Sequence, residues 1–318
     1  MQHIIILVVL FAIELLYFKI ADKFNIIDKP NERSSHSTIT LRGGGIIFYF
    51  GALIFFIYSD FQYSYFFLGL TAITVISFLD DVFTLSNKIR LLVHLSSVLL
   101  LFYEIDLFIF SFWIIPIAIV VAIGTINAYN FMDGINGITV SYSTAVLLLL
   151  AYVNTQYLFI DPEFIYYVLL SCVVFGFFNF RQKAKCFAGD VGSVAIAFIV
   201  LFLIAKVMLT TGSLLYLLFL AVYGIDAVWT ILRRLSKKEN IFKAHRSHLY
   251  QYLANENKTN KLLVSASYGL LQLIVGGIVI WGESKSMQIQ IITAIAILLI
   301  GSGLYLAIKQ SMINKHQL

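Results

Sequence analysis

Charged residues make up only 12% of this 318-residue chain, against about 25% in an ordinary soluble domain. That scarcity excludes a soluble globular enzyme, a disordered chain and a nucleic-acid-binding module, each of which needs a polar or charged surface. Cysteine is nearly missing as well. Cys172 lies in an apolar run and Cys186 in a basic loop, with no CxxC spacing, so neither a redox motif nor a disulfide framework is suggested. The N-terminus lacks a basic region and an A-x-A cleavage site, and its apolar stretch runs to Phe18 and beyond. It reads as a first spanning helix and not as a removed signal peptide. No repeat is visible, no inverted symmetry relates the two halves as in many transporters, and no Arg-rich helix or filter-like loop suggests a channel.

What the chain does have is apolar length. Sixty per cent of its residues are hydrophobic, with a mean hydropathy of +0.90. A bilayer core needs about 20 apolar residues per helix, so eleven helices would use about 220 residues. The runs are unbroken, which excludes the alternating strands of an outer-membrane barrel. The sequence therefore predicts an all-α, polytopic integral membrane protein with about 11 transmembrane helices. The spans lie near 3–20, 44–58, 63–79, 89–103, 107–125, 137–153, 164–179, 191–209, 213–232, 262–281 and 288–308. One membrane-embedded domain, 1–318, is the economical organisation.

Counting the span ends beside them and the C-terminal tail, all Lys and Arg fall on the side of the loops near 21–43, 80–88, 126–136, 180–190 and 233–261, except Lys206 and Lys285. The short loops between them hold Asp60, Glu104, Asp106, Asp161, Glu163 and Glu283. By the positive-inside rule the basic loops are cytoplasmic, the N-terminus outside and the C-terminus inside.

Acidic residues on that basic side are the next clue. Asp80 and Asp81 close the third span, Asp133 lies in Asn127–Gly137, and Asp190 lies in Phe187-Ala188-Gly189-Asp190-Val191-Gly192-Ser193. Adjacent carboxylates repel, and a divalent cation relieves the repulsion. Mg²⁺ is typically held by one or two carboxylates together with substrate phosphates. Plain alternatives stand beside this reading: solvated acids at a helix end, an N-cap before the eighth span, and an ordinary turn around Asn130 and Asp133. The start of the eighth span would also offer free backbone N–H groups to a phosphate.

Two basic loops add candidates. Arg33, His36 and Arg42, the last followed by Gly43–Gly45, suit phosphate contact, or form a flexible loop that sets topology. His245 and His248, three residues apart with Arg246 between them, would share a helix face. No third zinc ligand lies at the usual local spacing, so recognition of a diphosphate or of sugar hydroxyls is preferred over a metal site or a solvated loop. Asn179 and Phe187 bracket the loop between them, and Phe187 could stack on a base or simply pack.

Taken in order, these pieces are recognisable. Asp28–His36 with Gly43–Gly45, Leu79-Asp80-Asp81, Asn127–Gly137, Asn179 with Phe187–Ser193, and His245–Gln251 resemble the motifs of the polyprenyl-phosphate N-acetylhexosamine-1-phosphate transferases, the MraY/WecA-like superfamily (glycosyltransferase family 4). The resemblance covers most of the chain. It implies a glycosyl-1-phosphate transferase, a phosphotransferase that passes a UDP-activated N-acetylhexosamine 1-phosphate to undecaprenyl phosphate in the bacterial inner membrane, with Mg²⁺ or Mn²⁺ as cofactor and UMP as the leaving group. It further implies Asp190 as metal ligand and Asp80 and Asp81 as catalytic residues that position or deprotonate the lipid phosphate. Asn130 and Asp133 would line the nucleotide pocket, Phe187 would stack on uracil, and His245, Arg246 and His248 would contact the sugar diphosphate. Arg33, His36 and Asn179 complete the implied substrate-binding set. The last motif looks like that of the WbpL/WbcO-like subgroup, which initiates O-antigen or similar surface polysaccharides. Two positions depart from the pattern: Thr84 and Asn136 stand where further acids often occur. Membrane lipids are implied partners, a homodimer is compatible, and nothing points to nucleic acid.

Two other function classes compete. A transporter or flippase would bring ionisable residues near the midplane, where only Glu14 and Asp226 lie well inside apolar runs. A CDP-alcohol phosphatidyltransferase would need Ala-Arg and two further acids after Asp133-Gly134, and Ile138–Leu150 supplies none.

Overall fold

In a bilayer the backbone finds no solvent partner, so long apolar runs satisfy their N–H and C=O groups internally, as helices. The computed structural model describes residues 1–30, 38–240 and 245–316. Its first four long helices are α1 (Gln2–Lys23), α2 (Ile47–Tyr58, entered through a 3₁₀ turn, Gly44–Ile46), α3 (Ser64–Phe83) and α4 (Asn87–Glu104). There follow α5 (Ile114–Met132), α6 (Ile138–Tyr157), α7 (Pro162–Asn179) and α8 (Gly189–Thr211). The last three are α9 (Ala221–Ser236), α10 (Lys261–Glu283) and α11 (Met287–His316). Among the described residues nine helical stretches are long and apolar enough to cross a membrane, Leu214–Ser236 among them, while Gly44–Tyr58 is shorter. α4 is more polar because it carries Lys88, Arg90 and His94. The chain is an all-α polytopic membrane protein.

Each predicted span has its helix, with one displaced. The fifth, placed at 107–125, begins only at Ile114 and runs to Met132. The apolar residues before it form a 3₁₀ turn, Leu107–Ile109, and expose Phe108, Phe112 and Trp113, as aromatics at a membrane–water boundary do. The shift carries Asn127 and Asn130 onto the last turns of α5, where a loop was expected. Likewise α3 runs through Phe83, so Asp80 and Asp81 are helical. A second addition is a two-stranded antiparallel pair, β1 (Ile27–Asp28) with β2 (Thr40–Leu41), within a segment read as plain loop. His245 and His248, expected on one helix face, both precede the helical turn: it is short, Leu249–Gln251, and runs into a π-helical stretch, Tyr252–Glu256.

α8 is the hub. It is buried along 83% of its apolar window, whereas α5 and α11 are buried along 17%. Its Phe198 and Phe202 stack on Phe66 of α3 at 5.5 and 4.0 Å. On the other side of the bundle Tyr142 of α6 stacks on Tyr223 of α9 at 3.6 Å. α10 closes on α6 through glycine, Gly269 lying against the Ser141 carbonyl. Close packing of small residues and interhelical hydrogen bonds is what holds helices together where lipid is as apolar as the side chains. The arrangement holds the C-terminal end of α3 against the N-terminal end of α8, and the site lies there.

Candidate active site

Three carboxylates meet where α3 ends and α8 begins. The Asp81 side chain is fully buried. Its two oxygens accept from the backbone N–H groups of Asp190 and Val191, at 3.0 Å each. α8's own N-cap, Ala188, has no side-chain acceptor, so Asp81 caps the helix from outside, where the helix dipole favours a negative charge. The N–H groups expected to be free for a phosphate are thus already taken by the protein. Gly189 makes this approach feasible: its φ is +71°, and a Cβ there would stand 2.5 Å from Asp81 Oδ2. Asp80, nearly buried, accepts the Leu85 N–H at 2.6 Å through Oδ1.

Two arginines bind the three acids together. Arg42, directly after β2, donates from Nε to Asp81 Oδ1 at 2.6 Å and from Nη2 to Asp190 Oδ1 at 3.3 Å. Arg90, in the first turn of α4, donates from Nη1 to Asp80 Oδ2 at 2.6 Å and from Nη2 to Asp190 Oδ2 at 2.9 Å. Asp190 therefore carries a guanidinium nitrogen on each oxygen. Arg42 is held in place by its chain: Tyr17 donates to its carbonyl at 2.6 Å, and Gly44 and Gly45 donate to the carbonyls of Phe187 and Ala188 at 2.9 and 3.2 Å. The contact is so close that a Cβ on Gly45 would lie 2.5 Å from the Gly192 Cα.

α5 supplies the next wall. Asn130 donates to Ser193 Oγ at 3.1 Å, joining the ends of α5 and α8. Asp133, just past α5, accepts the Thr139 hydroxyl at 2.6 Å. Burial, with Asp190 and Asp81 close by, pushes its carboxyl up to about 7, against the Thr139 hydrogen bond, which favours the ionised form.

The remaining candidates are placed less directly. Asn179 is buried; its Nδ2 donates to the Cys186 carbonyl at 2.8 Å and its Oδ1 accepts the Gly137 N–H at 2.7 Å, so it ties loop to helix. Phe187, half-buried, accepts the Gly44 N–H and donates its own N–H to the Leu41 carbonyl at 2.8 Å. His245 pairs with Ser247 Oγ at 3.0 Å. Burial, with His248 and Arg234 nearby, pushes it down to about 4. Arg246 reaches Glu256 at 2.9 Å. His248 is buried, its Nδ1 3.1 Å from Asp226 Oδ1. The loop nonetheless borders the site: the rings of His245 and His248 lie 6.0 and 6.5 Å from Phe131, whose carbonyl accepts the Tyr250 hydroxyl at 2.9 Å. Arg33 and His36 lie outside the described residues.

The two acids that suggested transport serve the same end of the molecule. Asp226 anchors His248, and Glu14 accepts from the Cys186 thiol at 3.6 Å, just ahead of α8. Arg90 is the site residue the sequence reading passed over, because it falls in the run 89–103. An arginine inside an apolar span is a signal of function in its own right.

As to a metal, no three His, Cys, Asp or Glu side chains form a closed cage among the described residues. Mg²⁺ asks for less, since substrate phosphates and water complete its shell. Asp80 and Asp190 present hard oxygen donors whose Oδ2 atoms are close enough to share one guanidinium, and they fit that requirement.

Comparison with known proteins bears on this geometry. Residues 63–210 match the model of Glycosyl transferase family 4, a stretch that contains Asp80, Asp81, Arg90, Asn130, Asp133 and Asp190. A Bacillus subtilis (strain 168) protein named probable undecaprenyl-phosphate N-acetylglucosaminyl 1-phosphate transferase is 25% identical, over 79% of this chain and 75% of its own length. Undecaprenyl-phosphate alpha-N-acetylglucosaminyl 1-phosphate transferases of Yersinia pestis and Escherichia coli (strain K12) are each 27% identical, over 85% of this chain and 82% of theirs. The family match spans the three carboxylates and the relatives align over most of the chain, which supports the likeness to the MraY/WecA-like superfamily.

Proposed function

We propose that this protein transfers a UDP-activated N-acetylhexosamine 1-phosphate to undecaprenyl phosphate, releasing UMP and forming the lipid-diphosphate sugar that initiates O-antigen or another surface polysaccharide. The observation that carries the reading is the convergence of Asp80, Asp81 and Asp190 under two bridging arginines at one end of the bundle. The charge pattern of the loops supports an arrangement with eleven spans, the N-terminus outside, and the site at the cytoplasmic face of a bacterial inner membrane. There a soluble nucleotide sugar and a lipid phosphate can meet.

In the proposed reaction a lipid phosphate oxygen attacks the β-phosphorus, the bond from that phosphorus to the bridging oxygen breaks, and UMP departs with the electron pair. A lipid phosphate has its second pKa near 6 and is largely ionised at neutral pH, so orientation matters more than proton removal. The three aspartates differ in how free they are for this. Asp81 is spent on the α8 backbone and Arg42, which makes it a positioning residue. Asp80 and Asp190, whose Oδ2 atoms share Arg90 while Asp190 Oδ1 meets Arg42 and Asp80 Oδ1 the Leu85 N–H, are the groups that would hold Mg²⁺ or Mn²⁺. When bound, such an ion neutralises the diphosphate and stabilises the leaving phosphate. Arg42 and Arg90 offer planar forks suited to phosphate oxygens. Asp133, pushed up to about 7, can hold a proton beside them at neutral pH.

The test combines purified protein, undecaprenyl phosphate and a panel of UDP-N-acetylhexosamines, with and without Mg²⁺, and measures UMP. Metal-dependent UMP with at least one donor is expected, and the preferred donor names the sugar. Folded protein that releases no UMP from any donor would overturn the reading.

A further inference from the structure

The carboxylates just described are not open to a ligand as they stand. Asp81 has both oxygens on the α8 backbone, and Asp190 meets one guanidinium nitrogen on each oxygen. A cation approaching Asp190 or the outer oxygen of Asp80 therefore meets positive charge that is already in place. We infer that Arg90, seconded by Arg42, is an exchangeable counter-ion: its fork holds Asp80 and Asp190 together while the site is free of substrate, and passes to the phosphate oxygens when a diphosphate arrives. The inference rests on the phosphotransferase reading above and adds to it a role for two side chains.

Three observations carry it. A guanidinium matches a carboxylate and a phosphate by the same planar, two-donor geometry, so the fork that spans Asp80 and Asp190 is equally suited to two phosphate oxygens. The arginine side chains are 22% and 34% exposed, which leaves them room to turn; the acids they hold are more deeply set. The charge count also closes. Three carboxylates and two guanidiniums leave one net negative charge, and a diphosphate with two negative charges can enter with a divalent cation without changing that sum. Arg90 is the more telling of the pair, because Asp81 is pinned by backbone whether or not Arg42 is present. Arg90 is the side chain that bridges Asp80 and Asp190.

The experiment measures Mn²⁺ binding by electron paramagnetic resonance on the full chain in lipid nanodiscs, with and without UMP as the nucleotide probe. Arg90→Gln removes a cation from beside the binding oxygens, so it is expected to bind Mn²⁺ about tenfold more tightly in the absence of UMP. UMP should then tighten Mn²⁺ binding less than it does in the wild type, because the coupling carried by the arginine is gone. Arg90→Lys keeps the charge and loses the fork, and is expected to bind Mn²⁺ alone much as the wild type does. A merely structural arginine would give the opposite sign, with looser acids and weaker Mn²⁺ binding in Arg90→Gln; that result, or no change, overturns the inference. Should Arg90→Gln not fold, Arg42→Gln is read in the same way with the same expected direction. A wild type that binds no Mn²⁺ with or without UMP would bring down the metal-dependent reading itself. A wild type that binds Mn²⁺ and turns over, beside an unaltered Arg90→Gln, would bring down this inference alone.

Discussion

Two of the ion networks among the described residues are built from similar parts and sealed to different degrees. In the Asp226 network the carboxylate is 2% exposed and accepts from His248 Nδ1 at 3.1 Å, the Leu249 N–H at 3.1 Å, the Thr230 hydroxyl at 3.2 Å and the Tyr268 hydroxyl at 2.7 Å. Lys309 completes it, donating to Thr230 at 3.1 Å and to Tyr305 and the Ser247 carbonyl at 2.5 Å. Every oxygen of the acid is used, and the network fastens the 245–256 loop to α9, α10 and α11. In the Asp80–Asp81–Asp190 cluster, acids outnumber bases, two arginines are shared among three carboxylates, and Asp190 and both arginines keep partial exposure. A buried carboxylate with both oxygens fully partnered is suited to holding a shape. An under-neutralised one at the surface is suited to receiving charge. The difference separates scaffold from chemistry more clearly than the identity of the residues does.

That contrast breaks if the carboxylate cluster turns out to be scaffold. Asp190→Asn keeps the volume and removes a charge, so it is expected to lower UMP release by about 10²–10³-fold, as loss of one preorganised electrostatic group does, with thermal stability little altered. Steady-state turnover and melting of the same preparation decide it: a variant that melts early and turns over normally would put Asp190 in the scaffold class. The converse holds for Asp226. Asp226→Ala strands Lys309 and His248 in a buried setting and is expected to destabilise by about 3–5 kcal/mol. Melting in detergent would show it, and hydrogen exchange should rise in the 245–256 loop before it rises in α8.

Much of this was legible in the sequence, for identifiable reasons. Apolar runs of helical length leave the backbone no other option in lipid, so each expected span has its helix. Asp80, Asp81, Asp133 and Asp190 could be placed at one end because each stands where an apolar run stops. The fifth span was displaced because hydropathy does not distinguish Phe108 at a boundary from Ile117 in a helix. Arg90 and Asp226 were hidden for a common reason: their roles are set by partners far away in sequence, Asp190 a hundred residues off and His248 across a loop. Spacing cannot report a pairing of that kind. Nor could it show that Asp81 would occupy the N–H groups at the start of α8.

The close approach of the arginine-bearing loop to α8 offers a finer cut. Gly45→Ala places a Cβ 2.5 Å from the Gly192 Cα, and backbone cannot yield as a flexible side chain can. A cost of about 1–3 kcal/mol is expected from overpacking. Because the strain falls where Arg42 is positioned, turnover should fall further than melting predicts. A proportional loss in both would mean that the loop only supports the fold.

The smallest effect is a slope, and it distinguishes the two networks by pH. Asp133 has an ordinary value of 3.8 and is pushed up to about 7 by burial and by the repulsion of Asp190 and Asp81. A carboxyl raised on folding binds its proton more tightly in the folded chain than in the unfolded one. Stability from this group is therefore present in acid, is lost as pH climbs from about 4 to about 7, and stays level above that. Asp133→Asn removes a titrating group and should flatten that part of the stability–pH curve. Asp226→Asn should leave the same interval unchanged in shape, because the sealed network contains no second carboxylate to repel the first. If melting between those limits proves as steep in Asp133→Asn as in the wild type, the repulsion is being relieved elsewhere in the cluster. Asp80 and its arginine would then be the next pair to titrate.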